Sequence, residues 1–162
     1  MKESIKGVVD LICIRPSHNK RKILNSVFLS KMGGIEGDLW AKENPTKFKR
    51  QISIINSDAI RFFSGQDSPK EWSLSGDNLY VDFNLHTSFL PAGSKIKIGQ
   101  NVILKITEVP HLGCVKFKQR YGEENFYFLK KISKKEERMR GVFAMVEEEG
   151  VIHVGDEIIK QQ

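Results

Sequence analysis

The strongest constraint on the fold is an alternation of apolar and polar side chains that runs through short segments along most of the chain. Residues 5–14 show it first, and Pro16 stops the run. A two-residue period is typical of a β-strand with one buried face. The same period recurs in residues 79–85 and 96–106. The chain is therefore predicted to be mainly β.

The other predicted elements are equally short. Residues 51–55 indicate a buried strand, followed at once by a helix that Asn56 or Ser57 caps and that ends near Gly65. Two further helical turns are predicted at residues 114–120 and 134–140, which are rich in helix formers. Strands are predicted at 27–31, 51–55 and 79–85, with a hairpin at 96–106 and a closing hairpin formed by 142–146 and 151–159 around the loop 147–150.

These elements amount to roughly seven to nine strands and two or three short helices, without a βαβ rhythm. A sheet of many short strands removes its unpaired edges by closing on itself. We therefore predict a closed or partly closed β-barrel with two or three short helices, formed as one domain over residues 1–162.

Positive charge is concentrated in two segments. The chain has 26 Lys and Arg against 20 Asp and Glu, a net charge of +6. Residues 11–35 contain five basic and no acidic side chains, and residues 116–140 contain nine basic and four acidic ones. Nucleic acid, a phosphorylated small molecule or a solvated surface can each account for such segments. The sequence assigns no role to residues 11–35.

No targeting or membrane segment is visible in the sequence. The longest apolar run near the start covers only residues 11–14, whereas a bilayer span needs about 20 apolar residues. The two cysteines, Cys13 and Cys114, form neither a disulfide framework nor a paired metal-binding pattern. A cytoplasmic protein that makes no membrane contact is expected.

Cys114 is the main candidate for chemistry. It follows the end of a predicted strand, where loop residues are commonly presented to ligands, and His111 and Lys116 lie close to it in sequence. Cationic neighbours favour the thiolate, which is both a nucleophile and a metal ligand. The alternative is a small buried side chain without reactivity, which is our interpretation of Cys13 inside its apolar strand.

Two arginines stand directly before predicted strands. Arg50 precedes the strand at 51–55, and Arg140 with Gly141 precedes the strand at 142–146. A guanidinium group binds phosphate through two parallel hydrogen bonds, and a glycine allows a ligand to approach the backbone. A surface ion pair is the alternative for either arginine. The four histidines show no metal-binding spacing, and no Walker loop, Gly-x-Ser-x-Gly elbow or Gly-x-Gly-x-x-Gly motif occurs.

Seven short motifs occur in order over nearly the whole chain. They are Gly34-Ile35-Glu36-Gly37-Asp38, Arg50-Gln51-Ile52-Ser53-Ile54-Ile55 with Asp58-Ala59-Ile60, Gly76-Asp77-Asn78-Leu79, Leu90-Pro91-Ala92-Gly93-Ser94-Lys95-Ile96-Lys97-Ile98-Gly99, Cys114, Arg140-Gly141-Val142-Phe143-Ala144, and Gly150-Val151-Ile152 with Val154-Gly155-Asp156-Glu157-Ile158. In this order they resemble the molybdenum-cofactor sulfurase C-terminal (MOSC) domain family.

The resemblance implies a β-barrel whose recurrent cysteine faces a pocket for molybdenum cofactor, a pterin with a phosphate arm. By this resemblance Cys114 carries sulfur as a persulfide or coordinates molybdenum. It also implies that Arg50, Asn78 and Arg140 lie near the anionic part of the ligand. Three neighbours of these positions in sequence are added as candidate cofactor-binding residues, namely His111, Lys116 and Gly141.

The chain departs from the family pattern in two places. Many members have an arginine and a histidine directly after the Gly-Asp pair, where this chain has Leu39 and Trp40. A proline often precedes the cysteine, where this chain has Gly113. A basic contact with the cofactor is therefore expected to be missing at the first place. The pyridoxal-phosphate module of the larger sulfurases has no counterpart in these motifs, so no pyridoxal phosphate is expected in this chain.

Three functional hypotheses remain open. The leading one is a protein that binds molybdenum cofactor or a related anionic pterin, as a sulfurtransferase or as a component of a molybdenum-dependent oxidoreductase, with a separate sulfur donor or redox partner. The second is a metal-free thiol or persulfide sulfurtransferase or a detoxifying protein. The third is nucleic-acid binding by the basic segments, which is disfavoured because the aromatic residues interleaved with them at 117–128 are more often core residues.

Overall fold

The computed structural model describes residues 5–162, and for residues 132–134 it describes the backbone only. The strands of this part are β1 (Lys6–Ile14), β2 (Lys22–Leu24), β3 (Ser26–Ser30), β4 (Gly34–Ile35), β5 (Ile52–Asn56), β6 (Leu79–Asp82), β7 (Lys95–Ile98), β8 (Val102–Ile106), β9 (Val142–Glu148), β10 (Gly150–His153) and β11 (Glu157–Lys160). The helices are α1 (Leu39–Glu43), α2 (Ser57–Ser64), α3 (Pro69–Ser73), α4 (Val115–Phe128) and α5 (Ile132–Glu137), with a 3₁₀ turn at Phe48–Arg50.

Seven strands close into a barrel. Their order is β1-β6-β5-β9-β8-β7-β11, and β11 pairs back to β1. The pair of β5 and β6 is parallel, and the other six pairs are antiparallel. β2 is added beside the second half of β1. The prediction of a mainly β fold with a closed barrel is confirmed, although the described residues form five α-helices, where two or three were expected.

The closing hairpin predicted at residues 142–159 is wrong. β9 pairs with β5 and β8, so it is an interior strand of the barrel. β10 instead pairs with β3 in a separate three-stranded sheet of order β10-β3-β4, and β11 pairs with β1 and β7. The alternation in the sequence correctly indicated strands here, but it carries no information about which strands pair.

Two apolar clusters fill the molecule because three adjacent strands are buried on both faces. Inside the barrel, Val9, Ile54 and Leu79 contribute to the main core. On the opposite face, alternate residues of the same strands, including Leu11, Ile55 and Tyr80, pack against α2, α3 and α4. These helices therefore cover one flank of the barrel, and the candidate site lies between this flank and the strand ends.

The short helices agree with the sequence signals in part. α2 begins after Asn56, whose side chain accepts a hydrogen bond from Asp58 N, and ends at Gly65 in a left-handed conformation, as predicted. α4 is longer than the expected turn and is interrupted at Gly122, where the backbone leaves the helical region. β6 ends at Asp82, earlier than the predicted residue 85. None of the described helices combines the length and apolar character that a membrane span requires.

Candidate functional site

A cavity of about 320 Å³ opens at the ends of the barrel strands next to α4. Its wall contains six of the seven residues that the sequence nominated, from four separate parts of the chain. They are Arg50, Asn78, His111, Cys114, Lys116 and Arg140. Residues as far apart in sequence as 50 and 140 meet here because β5 and β9 are adjacent in the barrel.

Cys114 stands at the mouth of this cavity. It is the residue before α4, has an extended backbone, and its carbonyl oxygen accepts the first helical hydrogen bond from Lys118 N at 3.0 Å. Its side chain is exposed. Cys13 is its opposite, because it is fully buried and burial raises the pKa of its thiol to about 11. Of the two cysteines, only Cys114 can present sulfur to a ligand.

A buried carboxylate organises the floor of the cavity. Asp77 has no exposed side-chain surface, and its Oδ2 accepts a hydrogen bond from Arg140 Nη1 at 2.7 Å. Its Oδ1 lies 3.1 Å from His111 Nε2, and Ser75 Oγ donates to Oδ2 at 2.7 Å. Asp77 thus holds an arginine and a histidine from two different segments in fixed positions.

Burial and the charge of Arg140 shift the pKa values of Asp77 and His111. Burial alone would raise the pKa of Asp77, but the Arg140 guanidinium and the hydrogen bonds from His111 and Ser75 outweigh it and hold that pKa well below its usual range. Burial, followed by repulsion from Arg140, lowers the pKa of His111 despite the hydrogen bond to Asp77. At neutral pH the cluster therefore contains ionised Asp77, charged Arg140 and neutral His111.

The Phe143 ring contacts two side chains of the cavity wall, His111 and Arg50. The imidazole of His111 stacks on its ring with centroids 4.2 Å apart, and the Arg50 guanidinium carbon lies 5.5 Å from the ring centroid. Arg50 forms no ion pair among the described residues, so its charge is available to a ligand. Phe143 was not singled out by the sequence.

Asn78 lies at the cavity, but much of its side chain is used to join strands. Its Oδ1 accepts from Ser53 N at 3.1 Å, and its Nδ2 donates to the Cys13 carbonyl oxygen at 3.3 Å. It is also almost completely buried. These bonds connect β1, β5 and the start of β6.

Gly141, the seventh nominated residue, does not line this cavity. It lines a second cavity of about 570 Å³ between residues 107–113 and 138–142. Its backbone has φ = +107°, and a Cβ atom there would lie 2.2 Å from the Ile54 carbonyl oxygen. The glycine is needed so that the start of β9 can pass close to β5.

The basic segment 11–35 supplies one wall of the first cavity, and the sequence did not reveal this. Arg15 and Arg21 line it together with Arg120 from α4. A Cβ atom on Gly76 would lie 3.4 Å from Arg21 Nη2 and 3.9 Å from Arg120 Nη1. Gly76 therefore leaves a space between two guanidinium groups that a side chain would fill. The excess of five positive charges in residues 11–35 was the available signal.

The cavity wall carries a strong positive charge. Five arginines and one lysine line it against two carboxylates, which gives a net charge of +4 with histidines neutral. They are Arg15, Arg21, Arg50, Arg120, Arg140 and Lys116, against Glu43 and Asp77. Such a concentration favours an anionic ligand, because like charges in a concave site focus the potential.

Three buried polar atoms of the cavity wall have no hydrogen-bond partner among the described residues. They are Arg15 Nε, Arg140 Nε and Tyr121 Oη. Burial raises the pKa of Tyr121 to about 12, with a further contribution from the charge of Asp77, so its hydroxyl stays protonated. Unpaired buried donors are costly, so a ligand or water that accepts from them would stabilise the site.

The aromatic residues interleaved with the basic residues of 116–140 are mostly core residues. Phe117 is buried, and Tyr121, Phe126 and Phe128 pack against the second apolar cluster. Tyr127 is exposed. This arrangement does not present a row of stacking faces to a nucleic acid.

Comparison with known families identifies the fold. A family model described as the MOSC domain matches residues 33–159. The chain belongs to the MOSC family. The MOSC match includes Cys114, both strand-start arginines and Asp77, whereas Arg15 and Arg21 precede it.

Solved structures similar to this MOSC chain agree with this assignment. The YuaD protein from Bacillus subtilis is 22% identical, with a TM-score of 0.65 and 97% of each chain covered. YiiM from Escherichia coli is 14% identical, with a TM-score of 0.63, 96% of this chain covered and 70% of that chain. YiiM from Geobacillus stearothermophilus is 15% identical, with a TM-score of 0.61 and coverage of 96% and 75%. At these identities the likeness concerns the fold alone.

A search of curated protein sequences found no match to this chain.

Proposed function

We propose that this MOSC protein binds molybdenum cofactor or a related anionic pterin, with Cys114 as the thiolate ligand or sulfur carrier. The observation that carries the proposal is the exposed Cys114 side chain on the wall of a cavity with a net charge of +4. A thiolate is a soft ligand suited to molybdenum or sulfur, and arginine is suited to phosphate.

The residues present fit such a ligand. Arg15 Nε and Arg140 Nε are buried donors that have no partner within the described part of the chain, and the space over Gly76 is bordered by two guanidinium groups. No group of three or more His, Cys, Asp or Glu side chains among the described residues could hold a metal ion by itself. Metal binding here would combine Cys114 with donor atoms of the cofactor, whose molybdenum supplies two-electron chemistry when bound.

The protein contributes positioned charges and a positioned thiol. Asp77 fixes the Arg140 guanidinium through Nη1 at 2.7 Å, which leaves Nε to face an acceptor on the ligand. Because His111 is neutral and its Nε2 faces the ionised Asp77, the proton resides on Nε2 and Nδ1 is an acceptor. His111 can therefore accept a hydrogen bond from a ligand or a reacting thiol.

A metal-free persulfide carrier is the second candidate, and the exposure of Cys114 favours it. The Cys114 thiolate would attack the outer sulfur of a donor persulfide, so that one sulfur–sulfur bond forms as another breaks. The donor leaves as a thiolate, and Cys114 retains the transferred sulfur as a persulfide. The step needs no oxidant, because the donor persulfide supplies sulfur at the required oxidation level.

The test of the first proposal is cofactor content. Wild type and Cys114→Ala are purified from a host that makes molybdenum cofactor, and molybdenum is measured by elemental analysis and pterin by fluorescence after oxidative release. We expect both signals in wild type and a loss of molybdenum in Cys114→Ala. The matched control is Cys13→Ala, which removes the buried cysteine and is expected to retain both signals. If wild type has neither signal where a known binder acquires both, the proposal is wrong.

The second candidate is tested on cofactor-free protein. After incubation with a low-molecular-weight persulfide, mass spectrometry is expected to find one added sulfur atom on Cys114 in wild type and Cys13→Ala, and none in Cys114→Ala. The rate of alkylation is measured against pH on the same samples. A Cys114 thiol that resists alkylation and titrates near the ordinary value of about 8.5 would argue against a sulfur carrier.

A further inference from the structure

We propose that Trp40 is the stacking surface for a flat heteroaromatic ring, and that Arg21 and Arg120 hold the phosphate of the same ligand. The proposal rests on the proposed function and extends it to this chain's own residues. Its consequence is that the cavity selects a phosphorylated aromatic ring over a phosphate alone.

The first support is the fixed position of Trp40 on the cavity wall. Its backbone N–H donates to Asp38 Oδ2 at 3.3 Å, and its carbonyl oxygen accepts from both Asn44 N and Asn44 Nδ2 at 2.9 Å. Asp38 is buried and also accepts from Arg15 N at 2.7 Å. The backbone that carries the indole is thus anchored before any ligand arrives, which lowers the entropy cost of binding.

The second support is that Trp40 is only partly buried and lines the cavity. The other aromatic rings of the cavity are already in contact: Phe143 stacks with His111, and Phe117 packs against Phe63 and Tyr121. Among the described residues Trp40 has no ring partner and no cation over its face, although it lines the cavity. Stacking of a base on an aromatic side chain stabilises binding by about 1–3 kcal/mol.

The third support is the geometry of the two arginines. Arg21 Nη2 and Arg120 Nη1 lie 3.4 Å and 3.9 Å from the position of a Cβ on Gly76, so they are at most 7.3 Å apart. Two phosphate oxygens, each about 2.8 Å from one nitrogen, span a gap of this size. Neither guanidinium forms an ion pair with a carboxylate among the described residues. The two charges repel each other until an anion is bound.

Trp40 adds a large flat surface to this wall, and the segment 11–35 supplies Arg21 to the same cavity. The chain therefore divides recognition between stacking at Trp40 and charge at Arg21 and Arg120.

The experiment uses three probes that separate ring from phosphate: GMP, whose fused ring resembles that of a pterin, ribose 5-phosphate and guanosine. Dissociation constants are measured by calorimetry on cofactor-free protein, with tryptophan fluorescence as a second signal. We expect GMP to bind at least tenfold more tightly than ribose 5-phosphate or guanosine, and to quench fluorescence. Trp72, the other tryptophan, is buried against Tyr80 and is not expected to respond.

Variants separate the contribution of the ring to GMP binding from that of the phosphate. Trp40→Leu is expected to weaken the binding of GMP about tenfold or more and to leave the binding of ribose 5-phosphate unchanged. Trp40→Phe, which keeps an aromatic ring, is expected to retain most of the affinity for GMP. Arg120→Gln is expected to weaken the binding of GMP and of ribose 5-phosphate by the same factor. Lys70→Gln, the same charge change at an exposed position on α3, is the control and is expected to have little effect.

The proposal is overturned if GMP binds no better than ribose 5-phosphate, or if Trp40→Leu weakens both compounds equally, since that would indicate a structural role. The GMP measurements are made on cofactor-free protein, whereas the molybdenum measurement is made on protein from a host that makes the cofactor. GMP selection can therefore fail while the molybdenum measurement succeeds, and the reverse result is equally distinguishable.

Discussion

Asp77 is the residue on which the positions of Arg140 and His111 depend. A fully buried carboxylate is costly unless it is paired, and this one forms an ion pair with Arg140 and hydrogen bonds with His111 and Ser75. Ser75 Oγ also lies 2.8 Å from the hydroxyl oxygen of Tyr80, which donates to the Trp72 carbonyl oxygen at 2.9 Å. Asp77 therefore joins the cavity to the second apolar cluster.

Asp77→Asn is expected to lower the free energy of unfolding by about 3 kcal/mol, because Arg140 keeps its charge in a buried site without a counterion. Urea denaturation at pH 7 measures this. Asp67→Asn breaks an exposed ion pair with Arg61 and is expected to change stability little. Equal effects of the two substitutions would contradict the structural role given to Asp77.

His111 is expected to make stability fall as the pH drops below about 6.5. Its pKa is lowered in the folded protein by burial and Arg140, so the unfolded chain takes up a proton first and unfolding becomes more favourable. Each unit by which folding lowers the pKa of His111 reduces the free energy of unfolding at acidic pH by about 1.4 kcal/mol. Arg50, Asp77 and Phe143 are the other groups that face the imidazole.

Urea denaturation at pH 7.5 and pH 5 is the measurement, with the two pH values chosen at roughly one unit or more on either side of the ordinary histidine value. His111→Gln is expected to lose this pH dependence, whereas the exposed His153→Gln is expected to retain it. An unchanged pH dependence in His111→Gln would assign the effect to other groups.

The sequence predicted part of the site at the level of single residues. Cys114, Arg50 and Arg140 could be nominated because each stands next to a recognisable element boundary. Asp77 and Trp40 could not be separated from ordinary turn and loop residues, because their significance comes from contacts with segments 34 or more positions away or from a cavity that the sequence does not show.

At the level of elements, the sequence correctly predicted those features that depend on residues close together in the chain. The Asn56 cap, the Gly65 end of α2 and the hairpin of β7 and β8 were all predicted from neighbouring residues, and the structure confirms them. The pairing of β9 with β5 and β8 was not predicted, because it depends on contacts across 36 to 95 residues. The close approach of Gly141 to Ile54 was not predicted for the same reason, since the two residues are far apart in sequence.

Gly141→Ala tests the close approach of β9 to β5. We expect a loss of about 3 kcal/mol in the free energy of unfolding, from positive φ and from overlap with the Ile54 carbonyl oxygen. Gly155→Ala is the matched control, because Gly155 has φ = +92° but no atom of the described residues lies within 4 Å of its Cβ position. It is expected to cost about 1 kcal/mol, from backbone strain alone. Equal losses would show that contact with Ile54 is unimportant.

At the level of the whole molecule, closure of the barrel joins the two ends of the chain. The first half of β1 pairs with β11, and Val9 N donates to the Asp156 carbonyl oxygen at 3.0 Å while Gly155 N donates to Val9 O at 2.8 Å. Ile158 lies at this seam and is completely buried. β1 ends directly before Arg15, which lines the candidate cavity, so one strand connects the seam to a wall of the site.

Amide hydrogen exchange should therefore show that the terminal strands do not fray. If closure of the barrel is part of the cooperative fold, the Val9 and Gly155 amides exchange with nearly the free energy of global unfolding measured in urea, because opening either one breaks the ring of strands. β2 is the internal comparison, since it pairs with β1 at the end of its sheet and its amides are expected to exchange with a smaller free energy. Ile158→Ala is expected to lower the free energy of global unfolding by about 3 kcal/mol, and to lower the free energy of exchange at the Val9 amide by the same amount. Exchange at Val9 as fast as in β2 would mean that the barrel opens at its seam without unfolding, and the wall of the cavity formed by residues 15–21 would then open with it.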